Sequence, residues 1–219
     1  MSSEPVRQRL YEAIGRVAAA LASAARLKLL EYVAQRERSV ETLAAMAGLS
    51  VANASKHLQA LRQAGLVSAR KEGLRVYYAL AGDDVARLLA ALREVAERRA
   101  ADVERLVRDF LAQRDALEPV PASELLERAK KGLVTVLDVR PEEEYAAGHL
   151  PGAINVPLER LERAIARLPR RKEIVAYCRG PYCLLAFEAV AKLRRLGFRA
   201  RRLQNGFPEW RAAGLPVER

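Results

Sequence analysis

The chain has 219 residues, of which 51% are hydrophobic and 30% are charged. This is the balance of a globular protein that buries one large core or two modest ones. No apolar run approaches the ~20 residues that a membrane-spanning helix needs, and the first residues lack the pattern of a signal peptide. We therefore expect a cytoplasmic protein with no membrane partner. The formal net charge of +11 favours polyanions in general without identifying one.

The sequence pattern changes near residue 118. Helical periodicity dominates before it, whereas short β-rich runs at 134–137, 174–177 and 199–203 alternate with helical runs after it. Alternation of this kind predicts an α/β domain with a parallel sheet. Pro119 and Pro121 favour a helix end and a stiff connection. We predict a mainly-α domain at 1–117, a linker at 118–122 and the α/β domain at 123–219.

Two short helices joined by a tight turn are predicted at residues 40–64. Ser39 and Ser50 precede the helical runs as N-caps, and Gly48 and Gly65 follow them as stop signals. This arrangement matches a helix-turn-helix, whose second helix reads DNA. The predicted DNA-contacting positions on that helix are Val51, Asn53, Ser55, Lys56, His57 and Gln59. For His57, a simpler interpretation is a helix residue that contacts backbone or neighbouring side chains.

A β-hairpin is predicted immediately after the second helix. Two β-type runs flank Gly73, and a hairpin in this position is a wing. Arg70, Lys71 and Arg75 lie on it, and we predict that they contact DNA phosphates. The alternative is that these basic residues only form a solvated surface.

The sequence S-V-A-N-A-S-K-H-L at 50–58, followed by L-R-Q-A-G-L-V at 61–67, resembles the winged helix of ArsR/SmtB-family repressors. The resemblance covers roughly residues 8–110 and implies a winged helix-turn-helix and a homodimer built from the first and last helices, at about 6–21 and 85–111. Family metal sites use Cys or His on helices that here correspond to 41–47 and 83–114, and neither segment contains them. Because metal sites need several converging ligands, we expect no metal and no cofactor.

Both cysteines of the chain lie in one short loop. An apolar run at 174–177 ends at Cys178, and a helical run begins near Cys183. The residues between them are Arg179, Gly180, Pro181 and Tyr182. Backbone N–H groups and a helix N-terminus at such a loop favour thiolate, which is the reactive form of cysteine.

The second half resembles a rhodanese domain over roughly residues 119–217. Its motifs are D-V-R at 138–140, G-H-L-P-G-A-I-N-V-P at 148–157, the cysteine loop and L-Q-N-G-F-P-E-W at 203–210. The resemblance implies that Cys178 is the catalytic residue, which takes a sulfane sulfur as a persulfide and passes it to an acceptor. The N–H groups of the loop would cradle the sulfur, and Arg179 would add charge or contact an anionic donor. We interpret Asp138, Arg140, Glu144 and His149 as structural.

Cys183 has two interpretations. It is either a small buried residue at the helix start or a candidate resolving thiol that attacks a Cys178 persulfide. The sequence does not decide whether the separation of the two residues permits a disulfide.

Three functions compete. The first is a DNA-binding transcriptional regulator, expected to be a repressor, whose rhodanese domain senses or delivers sulfane sulfur. The second is a thiosulfate or polysulfide sulfurtransferase whose winged helix mainly dimerises, and enzymatic activity at Cys178 stays open. The third is a metalloid-responsive repressor that uses both cysteines. The expected partners are double-stranded operator DNA, a second copy of the chain, and a donor such as thiosulfate, a polysulfide or a protein persulfide.

Overall fold

The computed structural model describes residues 4–111 and 119–219. Contacts divide the chain into two compact units, the first ending at Val85 and the second beginning at Ala86. The predicted fold class is confirmed: a mainly-α unit with a small antiparallel sheet is followed by an α/β unit with a parallel sheet. Residues 112–118 lie outside the described residues, and they include the predicted end of the first domain and the start of the linker.

Together with the first residues of a fifth helix, the described part of the first unit, residues 4–85, contains four complete helices and three strands. They are α1 (Glu4–Leu21), α2 (Ala24–Val33), β1 (Arg38–Ser39), α3 (Val40–Ala47), α4 (Val51–Gln63), β2 (Val67–Glu72) and β3 (Arg75–Leu80). The strands β2 and β3 form the predicted hairpin. The strand β1, which the sequence did not indicate, pairs with the other edge of β3 to give the order β1-β3-β2.

The helix-turn-helix begins and ends as predicted. The Ser39 and Ser50 side chains accept hydrogen bonds of 3.3 Å from the N–H groups of Thr42 and Asn53, which caps α3 and α4. Gly48 ends α3 with a φ of 69°, a left-handed conformation that glycine adopts without steric cost. The apolar faces of α2, α3 and α4 meet in a core. Its fully buried leucines are Leu29, Leu30, Leu43, Leu58 and Leu61.

The second unit contains most of α5 and the rest of the chain. Its helices are α5 (Asp83–Arg99), α6 (Ala101–Leu111), α7 (Ala122–Lys130), α8 (Glu142–Ala147), α9 (Leu161–Ala164), α10 (Leu184–Arg195) and α11 (Phe207–Ala212), and its strands are β4 (Val134–Asp138), β5 (Ile154–Asn155), β6 (Glu173–Tyr177) and β7 (Ala200–Arg202). The strands form one parallel sheet in the order β5-β4-β6-β7.

The prediction of one continuous last helix over 85–111 was wrong. The structure has α5 and α6, which are separated at Ala100. Arg98 and Arg99 occupy the last turn of α5, and Asp102 and Glu104 the first turn of α6. Basic residues stabilise a helix C-terminus and acidic residues a helix N-terminus, so the charge pattern favours a break here.

The domain boundaries at 117 and 123 stay predictions. Within the predicted linker, Val120 is fully buried, and its N–H donates to the Arg202 carbonyl at 2.8 Å. This residue therefore packs in the core of the second unit.

Strand alternation distributes the second core over the two faces of the sheet. On β4, Val134 and Val136 pack on one face while Leu137 packs on the other. On β6, Tyr177 belongs to the first of these faces, and the next residue, Cys178, belongs to the second together with α10. Because side chains alternate between the two faces of a strand, Cys178 points toward α10, the helix that follows it.

Candidate active site and DNA-binding surface

Cys178 lies immediately after β6, at the carboxyl edge of the parallel sheet. This edge is where ligands bind in open α/β folds. Cys178 is 2% exposed and is joined by a disulfide to Cys183, with a Cα–Cα distance of 6.2 Å. The separation lies within the range that disulfides use. The Cα–Cα distance therefore permits the disulfide that the sequence left open.

Cys183 is a small buried residue at the start of α10, as its first interpretation expects, and its role as a resolving thiol stays a prediction. It is 9% exposed and packs in the core cluster under α10, and it also bonds to Cys178. Its N–H donates to the Gly180 carbonyl at 3.1 Å, which closes a turn within the loop. The predicted cradle of N–H groups over the sulfur therefore lacks this donor in the disulfide form.

Arg179 has a different partner from the one expected. Its Nε lies 3.0 Å from both Glu144 carboxylate oxygens, and its Nη2 donates to Oε1 at 2.7 Å. The Glu144 side chain is fully buried and that of Arg179 is 17% exposed. The buried Glu144 carboxylate needs a cationic partner, and Arg179 supplies it, while contact of Arg179 with an anionic donor stays a prediction. Arg179 anchors the first residue of the loop to α8.

A buried ion pair organises the floor of the site. Arg140 Nη2 donates to Asp138 Oδ2 at 2.7 Å and to the Gly148 carbonyl at 2.8 Å, and both charged side chains are fully buried. The Arg140 guanidinium also lies 4.3 Å from the Phe207 ring centroid and 5.5 Å from that of Tyr177. Burial acts to lower the pKa of Arg140, but hydrogen bonds to Asp138 and the nearby negative charge outweigh it, so the pKa is raised. These contacts give Asp138 and Arg140 the structural role expected from the sequence.

Tyr177 and His149 are also held by local contacts. Burial raises the pKa of Tyr177, so its hydroxyl stays protonated while it accepts from the Leu150 N–H at 3.1 Å. The His149 ring stacks on Tyr145 with centroids 3.7 Å apart, and its Nδ1 lies 3.1 Å from the Tyr145 carbonyl oxygen. His149 therefore serves the turn in which it lies.

A second loop supports the cysteine loop from the side. The Phe207 N–H donates to the Cys178 carbonyl at 3.1 Å. Gly206 lies so close that a Cβ there would overlap the backbone of Arg179 and Gly180. Glu209 Oε2 accepts from the Gly206 N–H at 3.0 Å and fixes this approach. The segment 206–209 thus positions the residues that carry the sulfur atoms.

The predicted recognition positions lie on the solvent side of α4. Val51, Asn53, Lys56 and Gln59 are exposed, while Ser55 and His57 are half-buried. Ala54, Leu58 and Leu61 form the buried inward face of α4. The amphipathic pattern therefore leaves one face of α4 available to a DNA groove.

The wing carries an interaction that the sequence did not indicate. Arg70 forms ion pairs with Glu37 at 2.8 Å and Glu72 at 2.7 Å, whereas Lys71 and Arg75 are exposed. Hydrogen bonds from Arg70 lower the pKa of Glu37. Arg70 is therefore already compensated by two carboxylates, and Lys71 and Arg75 are the stronger phosphate-contact candidates.

Two family descriptions match separate parts of the chain. The arsR family of bacterial regulatory proteins matches residues 23–69, and the rhodanese-like domain matches residues 121–213. The HTH-type transcriptional regulator Rv0324 of Mycobacterium tuberculosis is 47% identical over 209 residues, which cover 95% of this chain and 92% of that protein. The chain is an ArsR-family regulator with a C-terminal rhodanese-like domain.

Two further relatives each match one part of this ArsR-family regulator. A sulfurtransferase of Allochromatium vinosum is 29% identical over 85 residues, covering 38% of this chain and 78% of that protein. The homodimeric winged helix-turn-helix DNA-binding domain of Mb0332 from Mycobacterium bovis, solved by NMR, is 45% identical. That match covers 44% of this chain and 89% of the fragment, with a TM-score of 0.41.

Residues 4–111 and 119–219 of the ArsR-family regulator contain neither a metal-binding cluster nor a membrane-spanning helix. Within these ranges, no three His, Cys, Asp or Glu side chains are grouped to hold a metal ion. None of the helices described there is long and apolar enough to cross a membrane. The absence of a metal effector stays a prediction.

Sequence reasoning predicted the cysteine site of this ArsR-family regulator, but it did not predict the residues that support the cysteine loop or the ion pair of the wing. Glu37 is distant in sequence from the wing, and Gly206 and Glu209 are distant from Cys178. The signal that could have indicated Gly206 is its place in the L-Q-N-G-F-P-E-W motif, which served only to identify the domain.

Gly206→Ala should displace the cysteine loop, because the added methyl group overlaps the Arg179 and Gly180 backbone. We expect a loss of about 1–3 kcal/mol in the free energy of unfolding, as in other overpacked sites. Chemical denaturation of the reduced protein measures it. Gly15→Ala is the matched control, because nothing lies within 4 Å of a Cβ there. Equal unfolding midpoints for the two variants would contradict the close approach.

Proposed function

We propose that the chain is a homodimeric transcriptional repressor that releases its operator when sulfane sulfur reacts at Cys178. The observation that carries the proposal is the disulfide between Cys178 and Cys183, formed within a rhodanese-like domain that is fused to a DNA-binding unit. A regulator needs two chemically distinct states, and a neighbouring thiol pair provides them. Because the proposed repressor acts on operator DNA, we propose that it works in the cytoplasm.

The first chemical step is sulfur transfer to Cys178. The Cys178 thiolate attacks the outer sulfur of a persulfide donor R–S–SH, the bond between the two donor sulfurs breaks, the thiolate R–S⁻ leaves, and Cys178–S–SH forms. With thiosulfate the leaving group is sulfite. Cys178 suits this role because it follows β6 directly and its loop is held by Arg179 and by the 206–209 segment.

The second step resolves the persulfide. The Cys183 thiolate attacks the inner sulfur of Cys178–S–SH, which forms the Cys178–Cys183 disulfide and releases hydrosulfide, HS⁻. Two electrons pass from the thiol pair to the outer sulfur, so no other oxidant is required. The support for this step is that the chain accommodates the resulting disulfide with both residues buried.

A catalytic sulfurtransferase is the second candidate function, favoured by the similarity to the Allochromatium vinosum sulfurtransferase. In that case an external thiol would take the outer sulfur before Cys183 does. The two functions predict different results when Cys183 is removed. Removal of Cys183 should leave transfer to an external acceptor intact in the enzyme and should abolish the DNA response in the regulator.

Cysteine variants test the sulfur chemistry. After polysulfide treatment, Cys183→Ser should accumulate an adduct of about 32 Da, one sulfur atom, because the persulfide cannot be resolved. The reduced wild type should instead lose about 2 Da as the disulfide forms, and Cys178→Ser should do neither. Intact-mass spectrometry measures all three, with the double Cys→Ser variant as the control for unspecific sulfur. An adduct on Cys183 with Cys178 unmodified would overturn the assignment of the nucleophile.

Phosphate contact by the wing is proposed for Lys71 and Arg75, with a smaller part for Arg70. Neutralising all three should weaken binding to every duplex and reduce the salt slope by about 0.9 for each phosphate that no longer has a cationic partner. Arg70→Ala alone should change the slope least, because Glu37 and Glu72 already pair with that side chain. Titrations at several salt concentrations measure this.

The control for the wing variants is Lys130→Ala with Lys172→Ala, two lysines of the second unit that lie outside the wing. A triple variant that binds with the affinity and salt slope of this control would refute the wing assignment.

We propose that α1 forms part of the homodimer interface. Val6, Leu10 and Ile14 recur every four residues on α1 and are 60–63% exposed, with Tyr11 beside them at 59%. An apolar stripe of this kind needs a covering partner. Two wings on one duplex require a dimer, which the family resemblance implies.

Leu10→Glu with Ile14→Glu should yield a monomer, because charges on the stripe cannot be buried without a partner. Light scattering should show half the wild-type mass, and operator affinity should fall by at least about tenfold because a monomer engages only one half-site. Arg9→Glu on the same helix is the control. A dimer of unchanged mass in the double variant would exclude α1 from the interface.

A further inference from the structure

One face of α5 contacts the cysteine loop and its support within the second unit. Arg93 Nη1 lies 2.5 Å from Glu209 Oε1, and the Tyr182 hydroxyl donates to Glu97 Oε1. Arg93 and Glu97 are four residues apart and therefore share a helix face. Burial raises the pKa of Tyr182, and the hydrogen bond to Glu97 adds to this, so the hydroxyl remains a donor.

The first contact reaches the loop through Glu209. Its Oε1 pairs with Arg93 while its Oε2 holds the Gly206 N–H, and Gly206 lies against the backbone of Arg179 and Gly180. The Glu209 side chain is 6% exposed and that of Arg93 is 26% exposed, so the ion pair is shielded from solvent compared with a surface pair. Arg93 Nη1 also lies 3.8 Å from the position of a Cβ on Gly180.

The second contact involves the residue next to Cys183. Tyr182 precedes Cys183 in the chain, so a change in the bond at Cys183 acts on the adjacent backbone. A cavity of about 590 Å³ lies beside these groups and is lined in part by Arg93, Glu97 and Tyr182. The open space allows the Tyr182 side chain to change position when the disulfide opens.

We propose that Arg93 and Glu97 are positioning residues for the cysteine loop, and that α5 couples the state of the Cys178–Cys183 pair to DNA binding. This rests on the proposed function. The helix is continuous in the chain with the DNA-binding unit, because its first residues, Asp83 to Val85, belong to that unit. Coupling of two sites is reciprocal, so operator binding also alters the reactivity of the thiols.

Thiol reactivity tests the positioning role without DNA. In the reduced full-length chain, Arg93→Ala and Tyr182→Phe should each change the alkylation rate of Cys178 by iodoacetamide at least about threefold, and Arg93→Lys should restore it. Tyr182→Phe keeps the ring and removes only the hydroxyl group, so it guards against a folding defect. The controls are Arg98→Ala on the exposed side of α5 and Tyr145→Phe, which removes a hydroxyl bond to the Ala153 carbonyl.

Operator affinity tests the coupling. The duplex is selected from a random library with the reduced protein, and the disulfide form is prepared with diamide. The wild-type affinities of the reduced and disulfide forms should differ by at least about fivefold, the lower end of typical coupling. Arg93→Ala combined with Tyr182→Phe should reduce the ratio below about twofold, while the two controls keep the wild-type ratio.

The outcomes separate this inference from the sulfur chemistry. A wild-type ratio near one overturns both the proposed operator release and the coupling, whereas a ratio unchanged in the combined variant overturns the coupling through α5 alone. Alkylation rates equal to those of the controls overturn the positioning role. Neither measurement uses a sulfane donor, so failure of Cys183→Ser to trap the sulfur adduct would reject the proposed function alone.

Discussion

The buried pair of Asp138 and Arg140 is the interaction on which the second unit depends most. Two charges without exposure are tolerated only where hydrogen bonds and opposite charge replace water. Arg140 meets this condition by contacting the end of β4, the carbonyl of Gly148, the Tyr177 ring and the Phe207 ring. Four separate segments therefore converge on one guanidinium. Because Tyr177 precedes Cys178 and Phe207 binds its carbonyl, the position of the sulfur follows from this convergence.

Strand geometry explains why the two thiols meet. Tyr177 and Cys178 point to opposite faces of the sheet, and the face of Cys178 is the one that α10 covers. Cys183 is the N-cap residue of α10, so the loop returns to the same face that it left. A cysteine one position earlier on β6 would pack with Trp210 and Leu150 instead. The pairing is thus a result of register as well as of proximity in sequence.

Local sequence patterns predicted those helices and strands whose ends are determined by residues close by in the chain. Ser39, Gly48 and Ser50 act on neighbouring backbone groups, so the helix-turn-helix was readable, and the rhodanese motifs identified the α/β unit. The break at Ala100 was readable only from the charges that flank it, which apolar periodicity does not register. The Glu37–Arg70, Glu144–Arg179 and Arg93–Glu209 pairs join residues 33, 35 and 116 positions apart. Nothing in one sequence selects such partners among 38 basic and 27 acidic residues.

The carboxylates around Arg70 bear on how the protein searches a genome. Non-specific attraction to DNA grows with every phosphate that a basic side chain neutralises. A bacterial chromosome presents about a million or more such competing sites, which retain a regulator away from its target. Under the proposed phosphate contacts, the pairing of Arg70 with Glu37 and Glu72 would make non-specific binding by the wing weaker than its number of basic residues suggests. Shorter residence on non-operator DNA would then leave more of the protein free to reach its operator.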